Sequence, residues 1–107
     1  MIGSPGNGLN QLNYTFGIAR NLVNNAIYVA DYGNHRAMYY GVNTTNGTIV
    51  AGGNGPGPNV TQLLYPRSIY FDDVSNSLII ANQGAHNIIR WKIGNHRWTL
   101  IAGTLNG

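Results

Sequence analysis

Ile27-Tyr28-Val29-Ala30-Asp31-Tyr32-Gly33-Asn34-His35-Arg36 is a short apolar run that stops at a turn, and 51 positions later the chain repeats it as Leu78-Ile79-Ile80-Ala81-Asn82-Gln83-Gly84-Ala85-His86-Asn87. The match extends outward with no gap. Ile18 falls on Ile69, Val23 on Val74, Asn25 on Asn76, Thr48 on Thr99, and Ala51-Gly52 on Ala102-Gly103. Upstream, Pro5-Gly6 falls on Pro56-Gly57, Gln11-Leu12 on Gln62-Leu63, and Tyr14 on Tyr65. About a quarter of the overlapped positions are identical. A fixed period of this length means one supersecondary unit used twice.

Within each unit the apolar pattern predicts four short strands, at residues 16–20, 26–30, 37–42 and 48–51 and again at 67–71, 77–81, 88–93 and 98–102. Asn24-Asn25, Asn46-Gly47, Asn76-Ser77 and Gly94-Asn95 supply turn chemistry between them. The second strand is apolar at every position, so both of its faces are expected to be covered. The third alternates, with Ile89, Trp91 and Ile93 on one face and Arg90 and Lys92 on the other. Four-stranded antiparallel sheets repeated at this period, driest in the middle strands, point to an all-β chain built of β-propeller blades, one at about residues 3–53 and one at about 54–107.

Composition narrows function. The chain has 107 residues, 43% of them hydrophobic and only 8% charged, with 15 Gly and no Cys. That is one domain's length, turn-rich, with neither the charge of a disordered chain nor the Ala, Glu and Lys of a helical bundle. Three acidic side chains, Asp31, Asp72 and Asp73, leave little for carboxylate catalysis, and the lack of Cys removes thiol nucleophiles and Cys-based zinc. The net charge of +3 comes from six cations scattered singly, a weak nucleic-acid footprint. No apolar run reaches membrane-spanning length and no signal-peptide core opens the chain. Glycosylation-type triplets beginning at Asn13, Asn43, Asn46 and Asn59 lean toward a secreted or extracellular parent.

The stretch from Ile27 to Arg36 resembles the signature of the NHL repeat, a Tyr-Val-Ala-Asp strand end followed by Gly-Asn-His-Arg, and Gly17-Ile18-Ala19 fits the family's first strand. The second unit looks like a degraded copy, with Asn82 where the family has Asp and Ala85-His86-Asn87 where it has Asn-His-Arg. The resemblance covers both units. It implies blades of a propeller, commonly six-bladed, that serves as a binding platform for protein or RNA, with metal-dependent lyases as a minority. Two blades leave apolar faces at both ends, and three copies of two blades make six. The chain is therefore expected to be a fragment of a longer NHL propeller that self-assembles as a homotrimeric ring, a scaffold without catalysis, cofactor or metal.

Beyond assembly, the expected binding surface is the face carrying Tyr32, Asn34, His35, Arg36, Gln83, His86 and Asn87, with protein or RNA as the ligand. The lyase alternative would use His35, His86 and Asp31 along the axis. Simpler roles compete for each. A His two residues after a strand-ending Gly is suited to bracing turn backbone, and Asp31 and Asn82 share a position where either accepts turn N–H groups. Tyr40 and Trp91 also share a position, which favours packing between blades over ligand stacking. His96 sits half a blade out of register in an exposed turn. The connection of residues 52–66, with its counterpart at 3–15, carries the recurring Gln, Leu and Tyr and is expected to pack partly between blades.

Overall fold

The computed structural model describes residues 6–104, and the ends of the two expected units, residues 3–5 and 105–107, lie outside them. Strands β1 (Thr15–Arg20), β2 (Ile27–Asp31), β3 (Arg36–Tyr40) and β4 (Thr48–Gly52) form one antiparallel sheet in chain order. Strands β5 (Pro66–Asp72), β6 (Ser77–Asn82), β7 (Asn87–Lys92) and β8 (Thr99–Gly103) form the second in the same order. The only helical pieces among the described residues are two 3-10 turns, Tyr32–Asn34 and Gln83–Ala85, each between the second and third strand of its sheet. The backbone repeats as faithfully as the sequence. Positive φ angles recur one period apart at Tyr14 and Tyr65, Asn25 and Asn76, His35 and His86, and Gly52 and Gly103.

Register assigns the faces. Ile18, Val29 and Met38 are paired across the first sheet, as are Ile69, Ile80 and Ile89 across the second, so these sets lie on equivalent faces. The opposite face of the first sheet carries Gly17, Ala30, Ala37 and Ala51, with Ala19, Tyr28 and Tyr39. That face packs on the second sheet's Ile69, Phe71, Leu78, Ile80, Ile89 and Trp91. The two sheets are thus joined front to back, each facing the same way along the stack. Small residues in the first sheet and large ones in the second make the fit, and Tyr28 stacks on Phe71 with ring centroids 4.9 Å apart.

Contact between the sheets concentrates on β1 and β5, with β2 also against β5, so the sheets converge at their first strands. Gly17 permits this approach: a Cβ there would lie 2.8 Å from the Arg67 carbonyl oxygen. The connection ahead of β5 fills the remaining space. Leu63 is fully buried between the sheets, against Gly52, whose φ of 70° and closeness to the His35 carbonyl also require glycine. Trp98 N–H donates to the Val60 carbonyl at 2.8 Å, and Gly47 N–H, one period earlier, donates to that of Leu9 at 2.7 Å. Each lead-in segment therefore lies along its own sheet.

One expectation needs correction. β2 is covered on both faces, but Ile79 and Ala81 of β6 are only half-buried because no third sheet packs on their side. Ile80, on the inner side, is fully buried.

Candidate functional site

The first strand of each sheet carries a β-bulge one residue in from its start. Thr15 faces Asp31 and Gly17 faces Ala30, leaving Phe16 as the extra residue, while Pro66 faces Asn82 and Ser68 faces Ala81, leaving Arg67. A bulged residue is unpaired and its side chain is re-aimed. Phe16 and Arg67 occupy the same repeat position, and the Arg67 guanidinium carbon lies 4.4 Å from the Phe16 ring centroid, within cation–π range.

Just before each bulge the chain passes through the left-handed region at a tyrosine, with φ 59° at Tyr14 and 50° at Tyr65. This is uncommon for a bulky residue and needs support. At Tyr65 the support is His35. The Tyr65 N–H donates to His35 Nδ1 at 3.0 Å, and the two rings meet edge to face at 4.4 Å. Because Nδ1 accepts, the bonded imidazole is neutral with its proton on Nε2, an assignment made from the hydrogen bond. Burial pushes the His35 pKa below its ordinary 6.5, partly opposed by the Asp31 carboxylate. His35 is itself left-handed, at φ 53°, and closes the 3-10 turn by donating its N–H to the Tyr32 carbonyl at 3.3 Å.

Tyr32, on that turn, completes the cluster. Its ring meets Phe16 edge-on and Tyr65 at a tilt, both with centroids 4.9 Å apart. Phe16, Tyr32, His35, Tyr65 and Arg67 therefore form one aromatic and cationic group where the first strands begin.

The seven expected loop-face residues divide. Tyr32 and His35 join the cluster. Arg36 does not present itself on the loop face: it is 4% exposed, with Nε donating to Asp31 Oδ2 at 2.7 Å, Nη1 to the Asn7 carbonyl at 3.0 Å, and Nη2 to the carbonyls of Gly8 and Gln11 at 3.0 and 2.9 Å. As the first residue of β3 it points to the side on which the lead-in segment lies. Asn34 likewise turns inward, its Nδ2 donating to Asp31 Oδ2 at 2.9 Å and to the Gly6 carbonyl at 2.6 Å. Asn87 is buried, donating to the Thr104 carbonyl at 2.7 Å. Gln83 and His86 are exposed on the equivalent turn, beside an open depression of about 470 Å³ that Arg67, Ser68 and Ile88 also line. No aromatic ring packs on His86 among the described residues.

Both Asp31 carboxylate oxygens accept hydrogen bonds. Its Oδ1 accepts from Asn13 N–H at 2.8 Å and its Oδ2 from Asn34 and Arg36. Asn82 repeats the brace, its Oδ1 accepting from Leu64 N–H at 2.7 Å. Among the described residues no three His or Asp side chains gather at one point. Trp91 is buried between the sheets with its indole donating to the Asn95 carbonyl at 2.8 Å, while its repeat partner Tyr40 is half-buried on the open outer face. His96 is exposed in the turn after β7. Of the glycosylation-type triplets, Asn43, Asn46 and Asn59 are exposed, and Asn13 lies under Gly33.

Sequence reasoning missed Phe16 and Arg67 and read Tyr65 only as inter-blade packing. A bulge leaves no trace in an apolar pattern, and the recurrence of tyrosine at 14 and 65 was the available signal. No protein-family model matches the chain, and a comparison with curated proteins returns no match.

Proposed function

We propose that this chain is a two-blade piece of an NHL-type β-propeller whose act is self-assembly, three copies closing head to tail into a six-bladed ring that serves as a scaffold. One observation carries the reading. The interface inside the chain joins the front of the second sheet to the back of the first, and the two faces that no other sheet covers are the front of the first, where Val29 and Met38 are nonetheless buried, and the back of the second. They are repeat equivalents of the pair already mated.

The open faces have suitable chemistry. Ile18 on the first sheet and Tyr70 on the second are each 65% exposed, with Ile27, Tyr40, Ile79 and Ile88 beside them. A soluble monomer seldom leaves apolar surface of this kind bare at both ends. Contacts between unlike faces generate a ring when the rotation closes, and the NHL resemblance argues for six blades. In such a ring the Tyr14 N–H of one copy meets His86 of the next, as Tyr65 meets His35 within the chain. The left-handed φ shared by Tyr14 and Tyr65, and by His35 and His86, supports this pairing.

Light scattering at micromolar concentration tests the reading, with a mass near three chains expected. Two or four chains would retain the propeller and revise its blade number. A stable folded monomer would overturn self-assembly.

A further inference from the structure

We propose that the assembled ring binds a small multivalent oxyanion, of the phosphate or polycarboxylate class, on its threefold axis through one Arg67 from each copy. This rests on the ring reading above. The sheets converge at β1 and β5, so closing the stack puts the first strands innermost. The bulges lie at the same end of these strands. Six bulge positions then surround one mouth of the axis, occupied alternately by Phe16 and Arg67. Within the chain Arg67 already sits over Phe16, and the repeat places Phe16 of the next copy against Arg67 in turn.

Charge makes this mouth unusual. Arg67 is exposed, and no carboxylate among the described residues pairs with it, since Asp31 is bound to Arg36 and Asp72 to Arg90. Asp72 ends β5 and Asp73 follows it, about 17 and 20 Å along the strand direction from position 67. Three guanidinium groups therefore meet on an axis with aromatic rings between them and no acid to neutralise them. The rings hold the cations in place without removing their charge, and each guanidinium keeps donors for oxygen. A single anion bridging three copies satisfies all of them and ties the ring together.

Calorimetric titration of the assembled protein with citrate, and separately with inorganic tripolyphosphate, is the test. At least one should bind at one anion per three chains, and should raise the thermal midpoint at fixed chain concentration. Arg67→Phe, which gives the second unit the residue already present in the first, should keep the mass of three chains and weaken binding by about tenfold or more. If that variant fails to assemble, Arg67→Gln serves the same comparison. Binding of neither anion to a protein of three-chain mass would overturn the axial site while leaving the ring intact. One anion per chain, or binding unchanged in an assembled Arg67 variant, would do the same. A protein that never exceeds one chain would instead fail the ring reading itself.

Discussion

Trp98 and Arg36 do the same work one repeat apart from different positions in their sheets. The Trp98 indole N–H donates to the carbonyls of Asn59 and Gln62 at 3.1 and 2.9 Å, and Arg36 Nη2 donates to those of Gly8 and Gln11 at 3.0 and 2.9 Å. Asn59 and Gln62 are the repeat equivalents of Gly8 and Gln11. The residue equivalent to Trp98 is Gly47, and the one equivalent to Arg36 is Asn87. Each unit thus caps the same two lead-in carbonyls with a donor the other lacks. A Cβ on Gly47 would fall 2.8 Å from the Tyr40 ring, so the first unit has no room for a large side chain there.

Removing either cap should loosen a lead-in segment, but by different amounts. Arg36→Met leaves the fully buried Asp31 carboxylate without its cation and removes the donor to the loop carbonyls of Asn7, Gly8 and Gln11. Breaking one side of such a buried pair destabilises by about 3–5 kcal/mol. Trp98→Phe keeps most of the ring in the core and loses only the N–H, for about 1–3 kcal/mol. Urea unfolding at a fixed chain concentration checks both values. Equal effects would mean that packing rather than carbonyl capping sets the loss.

The bond from Tyr65 N–H to His35 Nδ1 makes stability depend on pH with a definite sign. The folded pKa of His35 lies below the 6.5 of the free side chain, so between the two values the unfolded chain binds more protons. Stability from this group is fully present above pH 6.5 and is lost as pH falls through the folded pKa. His35→Asn should flatten this part of the profile, because Asn carries an acceptor near the Nδ1 position and tolerates the left-handed backbone. Thermal midpoints from pH 7.5 down to 5 measure it, and a midpoint that rises on acidification in the unmodified protein would contradict the assignment.

Much of this fold is legible in the sequence because the period and the alternation of apolar residues both survive in it. The 51-residue match and the turn residues place every strand to within one or two positions. Burial of Ile89 and Trp91 follows from the same alternation in the third strand, whereas the unbroken apolar run of the second does not separate buried Leu78 and Ile80 from half-buried Ile79. What pattern reading could not reach is a matter of long-range polar contacts. Arg36 looks like a surface cation beside a turn, and only the folded chain brings the carbonyls of Asn7, Gly8 and Gln11 to its guanidinium. Trp98 reads as a strand residue, yet it lies just before β8 and reaches back across 36 residues to Gln62. The bulges at Phe16 and Arg67 are a backbone feature with no compositional mark, so the cluster they create was not visible.

Ile79 and Ile80 are neighbours in β6 whose side chains point to opposite faces, and they separate folding from assembly. Ile80 is fully buried against the first sheet, so Ile80→Ala should destabilise by about 2–5 kcal/mol through lost burial and the cavity left behind. It should do so at every protein concentration. Ile79 is half-buried on the open back of the second sheet, where a charge can still reach water in the free chain. In the proposed ring that face would meet the front of the next copy's first sheet, and a carboxylate would be trapped there without a partner. Ile79→Asp should therefore act through association. The unmodified protein should lose thermal stability on dilution, as folding linked to assembly requires. Ile80→Ala should keep that dependence at a lower midpoint, and Ile79→Asp should abolish it and reduce the mass to one chain. Light scattering and melting curves over a dilution series give both readouts. If Ile79→Asp retains the full mass and the same dilution dependence, the back of the second sheet is not the face that joins the copies.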